Sequence, residues 1–341
     1  MKRILIVEVN WIGDVLFSTP FIRSVREAYP QSHIACLVHP RCREMLASNP
    51  RINELIIYDE EGVHRSLAGK ARLVGELRTR QFDAAFILHR SFTKALLTLL
   101  AGIPTRIGYA TKRRRGVLTQ AVAEPVAAMH KVEYFLGIAR AAGIEPRSTA
   151  YEFFVTDKEN VYISGLLERN GIGPEERFVV INPGGNWDPK RWPKERFARL
   201  ADALIERFGV RVVVTGAEKD VVLANEIRRL MKHAAVVLAG QTTLKQLGAL
   251  LGRAALVVAN DSGPMHMAVA MKTRVIALFG PTSPALTGPY GGDTYTVLFK
   301  NTQCAVPCYD TACTVHTCMS AVTVEDALRA AEGMIGIIHE H

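Results

Sequence analysis

Ala255-Leu256-Val257-Val258-Ala259-Asn260-Asp261-Ser262-Gly263-Pro264-Met265-His266 is the stretch that decides the fold. Five apolar residues make a run of buried-strand length. Asparagine, aspartate, serine, glycine and proline then fill the turn, and a helix is predicted over 265–271. A second apolar run over 274–279 reads as a strand again. Strand, helix and strand in this order form a βαβ unit, and such units build a parallel sheet covered by helices on both faces.

The same rhythm extends outward in both directions. In the second half, strands are predicted over 178–182 and 211–215, with helices over 194–208, 220–231, 243–253 and 324–338. In the first half, strands are predicted over 4–9, 34–38, 55–58, 84–88 and 105–109. Helices are predicted over 19–28, with Pro20 in its first turn, and over 41–48, 66–79 and 92–100. The fold class is α/β. A length of 341 residues suits two domains. The boundary is placed at 150/151, where Pro146-Arg147-Ser148-Thr149 reads as linker. An extended segment over 151–155 and a helix over 157–170 follow it. The last helix is expected to pack back on the first domain.

Charge separates the halves. Residues 1–150 hold 22 Lys+Arg against 13 Asp+Glu, whereas 151–341 hold 20 of each, so the whole net charge of +9 lies in the first half. This field suits an anionic partner. Nucleic acid is not that partner: aromatics are only 7%, and neither a stacking motif nor a helix-turn-helix pattern appears. No run approaches the ~18 apolar residues of a membrane span. Glu8, Asn10 and Asp14 interrupt the N-terminal apolar run, which reads as a buried strand of a cytoplasmic protein rather than a signal peptide.

Ligands of doubly wound sheets bind outside the carboxyl ends of the strands, so the loops at those ends are the candidates. Asn10-Trp11-Ile12-Gly13-Asp14 follows the first strand. From position alone, Asp14 reads as a turn or cap carboxylate before it reads as a general base. Asn182-Pro183-Gly184-Gly185-Asn186 offers the paired glycines Gly184 and Gly185 for backbone contact with phosphate, with Lys190 and Arg191 supplying positive charge. Glu218 lies in Thr215-Gly216-Ala217-Glu218-Lys219-Asp220, where acidic residues also favour a helix N-terminus without any ligand. Asp261–His266 is the most specific loop, a turn feeding a helix whose first amides form an anion site. Phe279-Gly280-Pro281-Thr282-Ser283-Pro284 brings further hydroxyls. Lys112-Arg113-Arg114-Arg115 is the densest basic run and the candidate acceptor contact. Cys304, Cys308, Cys313 and Cys318 have the spacing C-x₃-C-x₄-C-x₄-C, which fits either a zinc site or reduced, partly buried thiols. The chain lacks G-x-x-x-x-G-K-[ST], H-E-x-x-H and G-x-S-x-G, and no G-x-G-x-x-G follows its first strand.

With these residues in view, the chain resembles the glycosyltransferase family that contains the ADP-heptose:lipopolysaccharide heptosyltransferases. Trp11-Ile12-Gly13-Asp14 matches its Gly-Asp loop, Lys190-Arg191-Trp192-Pro193 its Lys-x-Trp-Pro segment, and Asp261–His266 its Asp-[Ser/Thr]-Gly-x-x-His loop. Phe279-Gly280-Pro281-Thr282 is similar too, and the cysteine series resembles the heptosyltransferase II branch. The resemblance implies a GT-B fold, two Rossmann-like domains facing a cleft, and transfer with anomeric inversion. It implies that Asp14 is the base and that Lys190 neutralises the leaving diphosphate. Asp261, Ser262, Gly263 and His266 would hold the donor, with Glu218 near its adenosine. The implied donor is ADP-heptose as substrate, with no cofactor required. The implied acceptor is the lipid-linked, anionic inner core of lipopolysaccharide, on its first heptose, reached by peripheral contact with the inner membrane surface. Another nucleotide sugar, another acceptor, or a sugar-nucleotide epimerase of the same architecture is the alternative. Two positions depart from the pattern. Ser262 stands where threonine is frequent and keeps the hydroxyl, while Pro264 removes one amide from the helix start.

Overall fold

The computed structural model describes all residues except Lys112, Asn301, Gln303 and 337–341. The chain divides into two compact units, Met1–Phe154 and Val155–His341. The division falls after 151–154 because Glu152 is held inside the first unit. Arg23 reaches it at 3.1 Å and Arg51 at 2.7 Å, while Arg23 also donates to the carbonyls of Ser148 and Ala150.

The first unit contains β1 (Arg3–Val7), β2 (His33–Val38), β3 (Glu54–Ile57), β4 (Ala84–Ile87), β5 (Thr105–Tyr109) and β6 (Gln120–Val122). They form one parallel sheet in the order β3-β2-β1-β4-β5-β6. Ile4–Val7 are fully buried, as strands covered on both faces must be. In register, Leu5 lies between Ala35 and Ala85. One face packs on Leu73, Leu77, Ala95 and Leu97. On the helix Ile12–Ala28, Phe21 meets the Phe86 ring edge-on at 5.3 Å.

The second unit repeats the plan with β7 (Phe178–Asn182), β8 (Arg211–Val214), β9 (Val236–Val237), β10 (Leu256–Asn260), β11 (Val275–Phe279) and β12 (Tyr295–Phe299), all parallel, in the order β12-β11-β10-β7-β8-β9. Its core includes Trp192, Phe197, Leu200 and Leu204, with the Trp192 and Phe197 rings perpendicular at 5.0 Å. The helix Val324–Ile335 brings Ala327 and Ala331 into this same core, so it packs on the second unit's own sheet. Positions 337 and 338 of the expected helix lie outside the described residues.

Three strands, one long helix and the single helical turns Pro284–Thr287 and Thr317–Ser320 escape the sequence reading. β6, β9 and β12 are all edge strands, each partly exposed, and β6 and β9 are only three and two residues long. The missed helix, Lys131–Ala141, packs against Ile12–Ala28. The expected helix over 41–48 resolves into two short turns, Pro40–Cys42 and Arg43–Leu46.

The start of the first long helix is also corrected. It begins at Ile12, not Thr19, so Pro20 lies in its interior. Proline cannot donate to the carbonyl four residues back. The Thr19 hydroxyl takes over that acceptor, Leu16 O, at 2.7 Å.

Candidate functional site

In each sheet the strand order reverses beside the first strand of the unit, between β1 and β4 and between β7 and β10. Crevices at such switch points are where doubly wound sheets take ligands. The Asn182–Gly185 and Asp261–His266 loops leave β7 and β10 and so flank the second switch point.

Asn260, fully buried at the end of β10, organises that crevice. Its Nδ2 donates to Pro183 O at 2.8 Å and Gly184 O at 3.3 Å, and its Oδ1 accepts from Trp192 N at 3.1 Å. One side chain therefore fixes both the glycine loop and the Lys190–Pro193 segment. Gly184 is required by close approach: a Cβ there would lie 2.7 Å from Asp220 Oδ2. Asp220 is itself buried and accepts from Ala217 N at 3.1 Å.

Lys190 Nζ lies 2.6 Å from Asp261 Oδ2. The same oxygen accepts from the Thr282 hydroxyl at 2.7 Å, and His266 Nε2 stands 3.8 Å from Oδ1. Thr282, one of the hydroxyls of the 279–284 loop, thus faces the Asp261 carboxylate. Burial raises the Asp261 pKa, but His266 and the Lys190 charge outweigh it and hold the group at about 2. Asp261 is therefore an anion at neutral pH, and it holds Lys190 at the mouth of a helix. That helix is Gly263–Ala270, with Ser262 as its N-cap and Pro264 in its first turn. Ser262 Oγ is buried and has no hydrogen-bond partner among the described residues, a polar atom left for a ligand. Glu218 is exposed in the turn after β8 and touches Gly240, where a Cβ would lie 2.4 Å from its Oε2.

In the first unit, Asp14 sits at the third position of the Ile12–Ala28 helix, half-buried. The helix dipole favours a carboxylate there. The residues entering this helix are tied to Lys94, which is 2% exposed. Its ammonium donates to Glu8 O at 3.3 Å and Asn10 Oδ1 at 2.6 Å. Asn10 also donates to Glu60, and its carbonyl accepts from Cys42 Sγ at 3.1 Å. Burial lowers the Lys94 pKa to about 8 against the pull of Glu60 and Glu8.

Glu8 lies fully buried beneath this loop. Burial pushes its pKa up to about 7, opposed by a 2.9 Å hydrogen bond from Ser18 and by Lys94. A carboxyl that keeps its proton longer when folded than when unfolded makes stability fall as pH rises from its unfolded value of 4.5 to about 7. Glu8→Gln is expected to abolish that slope. Urea unfolding at pH 5 and pH 8 checks this, and an unchanged slope contradicts it.

The basic run is only partly available. Arg113 and Arg115 are exposed, and Lys112 lies outside the described residues. Arg114 is fully buried, with its guanidinium on the carbonyls of Tyr109, at 2.6 Å, and His89. It ties β5 to the loop after β4 and cannot meet an acceptor, which corrects its assignment to the contact. Cys304 is exposed, Cys318 is packed in the core, and among the described residues no three His, Cys, Asp or Glu side chains form a metal-binding group.

The family described as glycosyltransferase family 9 (heptosyltransferase) matches residues 70–318. The chain belongs to glycosyltransferase family 9. It is an α/β enzyme of GT-B type, and family membership favours glycosyl transfer over the epimerase alternative. Lipopolysaccharide heptosyltransferase 2 of Escherichia coli K12 is 32% identical over 300 residues, 84% of this chain and 85% of that protein. The solved ADP-heptose lps heptosyltransferase II of E. coli has a TM-score of 0.81 at 29% identity, covering 98% of both chains. A glycosyl transferase family 9 structure from Veillonella parvula reaches 0.90 at 25% identity, covering 98% of this chain and 97% of that one. No helix among the described residues of this family 9 glycosyltransferase is long and apolar enough to cross a membrane.

Proposed function

We propose that this enzyme transfers a heptose from ADP-heptose to the first heptose of the lipopolysaccharide inner core, inverting the anomeric centre. The observation that carries the reading is the Lys190–Asp261 pair, 2.6 Å apart, at the start of the Gly263–Ala270 helix. A cation beside helix amides suits a diphosphate that gains charge as it leaves. The donor and the lipopolysaccharide acceptor come from the relatives' own names, and the first heptose of the inner core from the family resemblance.

In this mechanism Asp14 takes the acceptor hydroxyl proton as the oxygen attacks the anomeric carbon and the bond to ADP breaks. Lys190 and the amides from Gly263 onward stabilise the leaving diphosphate, and no cofactor is assigned. Ser262 Oγ and His266 contact the donor phosphates or sugar, the loop carrying Gly184 and Gly185 lies along the diphosphate, and Glu218 meets the adenosine. The acceptor's carboxylates and phosphates meet the basic first unit through Arg113 and Arg115. The site of action is the cytoplasmic face of the inner membrane.

Mass spectrometry of heptose-truncated lipopolysaccharide after incubation with ADP-heptose tests the reaction. One added heptosyl group is expected, and an unchanged acceptor contradicts it. Arg113→Gln/Arg115→Gln is expected to raise the acceptor KM roughly ten-fold and flatten its salt dependence, with donor affinity unchanged. Equal KM values across a salt series remove these residues from acceptor binding.

A further inference from the structure

The helix Phe92–Leu100 has two contrasting faces. Its inner face buries Lys94, Ala95, Leu97 and Thr98. Its outer face shows Phe92 at 42%, Leu99 at 37% and Leu100 at 46% exposure, with Leu96 half-buried between them. Positions 92, 96, 99 and 100 fall on one side of a helix. A helix at a water-facing surface carries polar residues there, and this one offers only Thr93. Cations bracket the stripe. The segment Arg114–Val117 packs against this helix, with Arg113 and Arg115 exposed on either side of the buried Arg114. At the far end, Arg78 is exposed and donates through Nε to Leu100 O at 2.9 Å.

We infer that this face is a bilayer-docking surface, in which Phe92, Leu99 and Leu100 enter the headgroup–acyl boundary of an anionic membrane and Arg78, Arg113 and Arg115 engage its headgroups. An apolar stripe with basic flanks is the pattern of an interfacial helix. A second copy of the chain fits less well, because a twofold contact through this patch brings its arginines against one another. The helix begins in the loop after β4, beside the first switch point, so docking presents the acceptor-facing edge of this unit to the lipid. The inference rests on the lipid-linked acceptor proposed above for its purpose, but not for its geometry.

Co-sedimentation of the full chain with vesicles of phosphatidylethanolamine and phosphatidylglycerol tests it, with phosphatidylcholine vesicles as control. Transfer to a deacylated, water-soluble core acceptor is measured in parallel. Wild type is expected to bind the anionic vesicles. Leu99→Ser/Leu100→Ser is expected to bind them at least roughly ten-fold more weakly, with unchanged melting and unchanged transfer to the soluble acceptor. Phe92→Ser is a second, independent variant with the same expectation. Wild-type binding by both variants, or no binding by wild type, overturns the inference. So does light scattering that shows the variants dissociating a dimer. Absent transfer by wild type to the soluble acceptor counts against the proposed reaction and leaves the vesicle result to stand separately.

Discussion

Asp14→Asn is expected to lower turnover by roughly 10²–10⁴-fold, the usual contribution of a positioned general base, while donor affinity stays at the wild-type value. The amide keeps the shape of the side chain in the first turn of the Ile12–Ala28 helix but cannot take a proton. A carboxylate at that position also stabilises the helix, by about 0.3–1 kcal/mol, so a small loss of melting temperature accompanies the change. The two effects separate in the measurements. Stopped-flow or calorimetric titration with ADP reports the donor site, thermal unfolding reports the helix, and single-turnover transfer reports the base. Wild-type-like single turnover removes Asp14 from the chemistry and leaves it as a helix-terminal carboxylate.

Lys190→Met is expected to cost roughly 10²–10³-fold in kcat, the scale found when one group that stabilises developing charge is lost, and to weaken donor binding as well. It also leaves Asp261 buried without its cation, at a cost of up to about 3 kcal/mol. The pH dependence follows from the sign of the Asp261 shift. Its pKa is lowered from 3.8 to about 2, so the stability it contributes is complete above 3.8 and disappears as pH falls through 2. In Lys190→Met that acid-side loss becomes smaller and is complete at a higher pH. Lys190→Met/Asp261→Asn is expected to recover stability without recovering turnover, which separates the structural part of the pair from its action on the leaving group. If Lys190→Met keeps the wild-type kcat, the pair is structural only.

The second-unit site is legible in the sequence because its signals are local. An apolar run, a turn of Asp-Ser-Gly-Pro and a helix follow one another within a few residues, and the structure keeps them in that order. What lies beyond is set by distant partners. Asn260 looks like one more turn residue until its carboxamide is seen spanning Pro183, Gly184 and Trp192. Arg114 reads as one of four solvated cations, yet two backbone carbonyls, one at the end of β5 and one in the loop after β4, draw it inside. The first long helix is misread at its start for a different reason. Its N-cap is Trp11, which makes no side-chain cap, whereas Pro20 mimics a first-turn proline. Glu8 appears in the sequence only as an interruption of an apolar strand. Its pKa, pushed up to about 7, follows from its complete burial, which the Ser18 hydrogen bond and the Lys94 charge only partly oppose.

The measurement that bears most directly on the account is the anomeric configuration of the transferred heptose, read by nuclear magnetic resonance from the product made with ADP-heptose and a truncated lipopolysaccharide core. A single displacement assisted by Asp14 and Lys190 predicts one new glycosidic linkage whose configuration is inverted relative to the donor. A retained configuration, or release of ADP and free sugar with no new linkage, contradicts it.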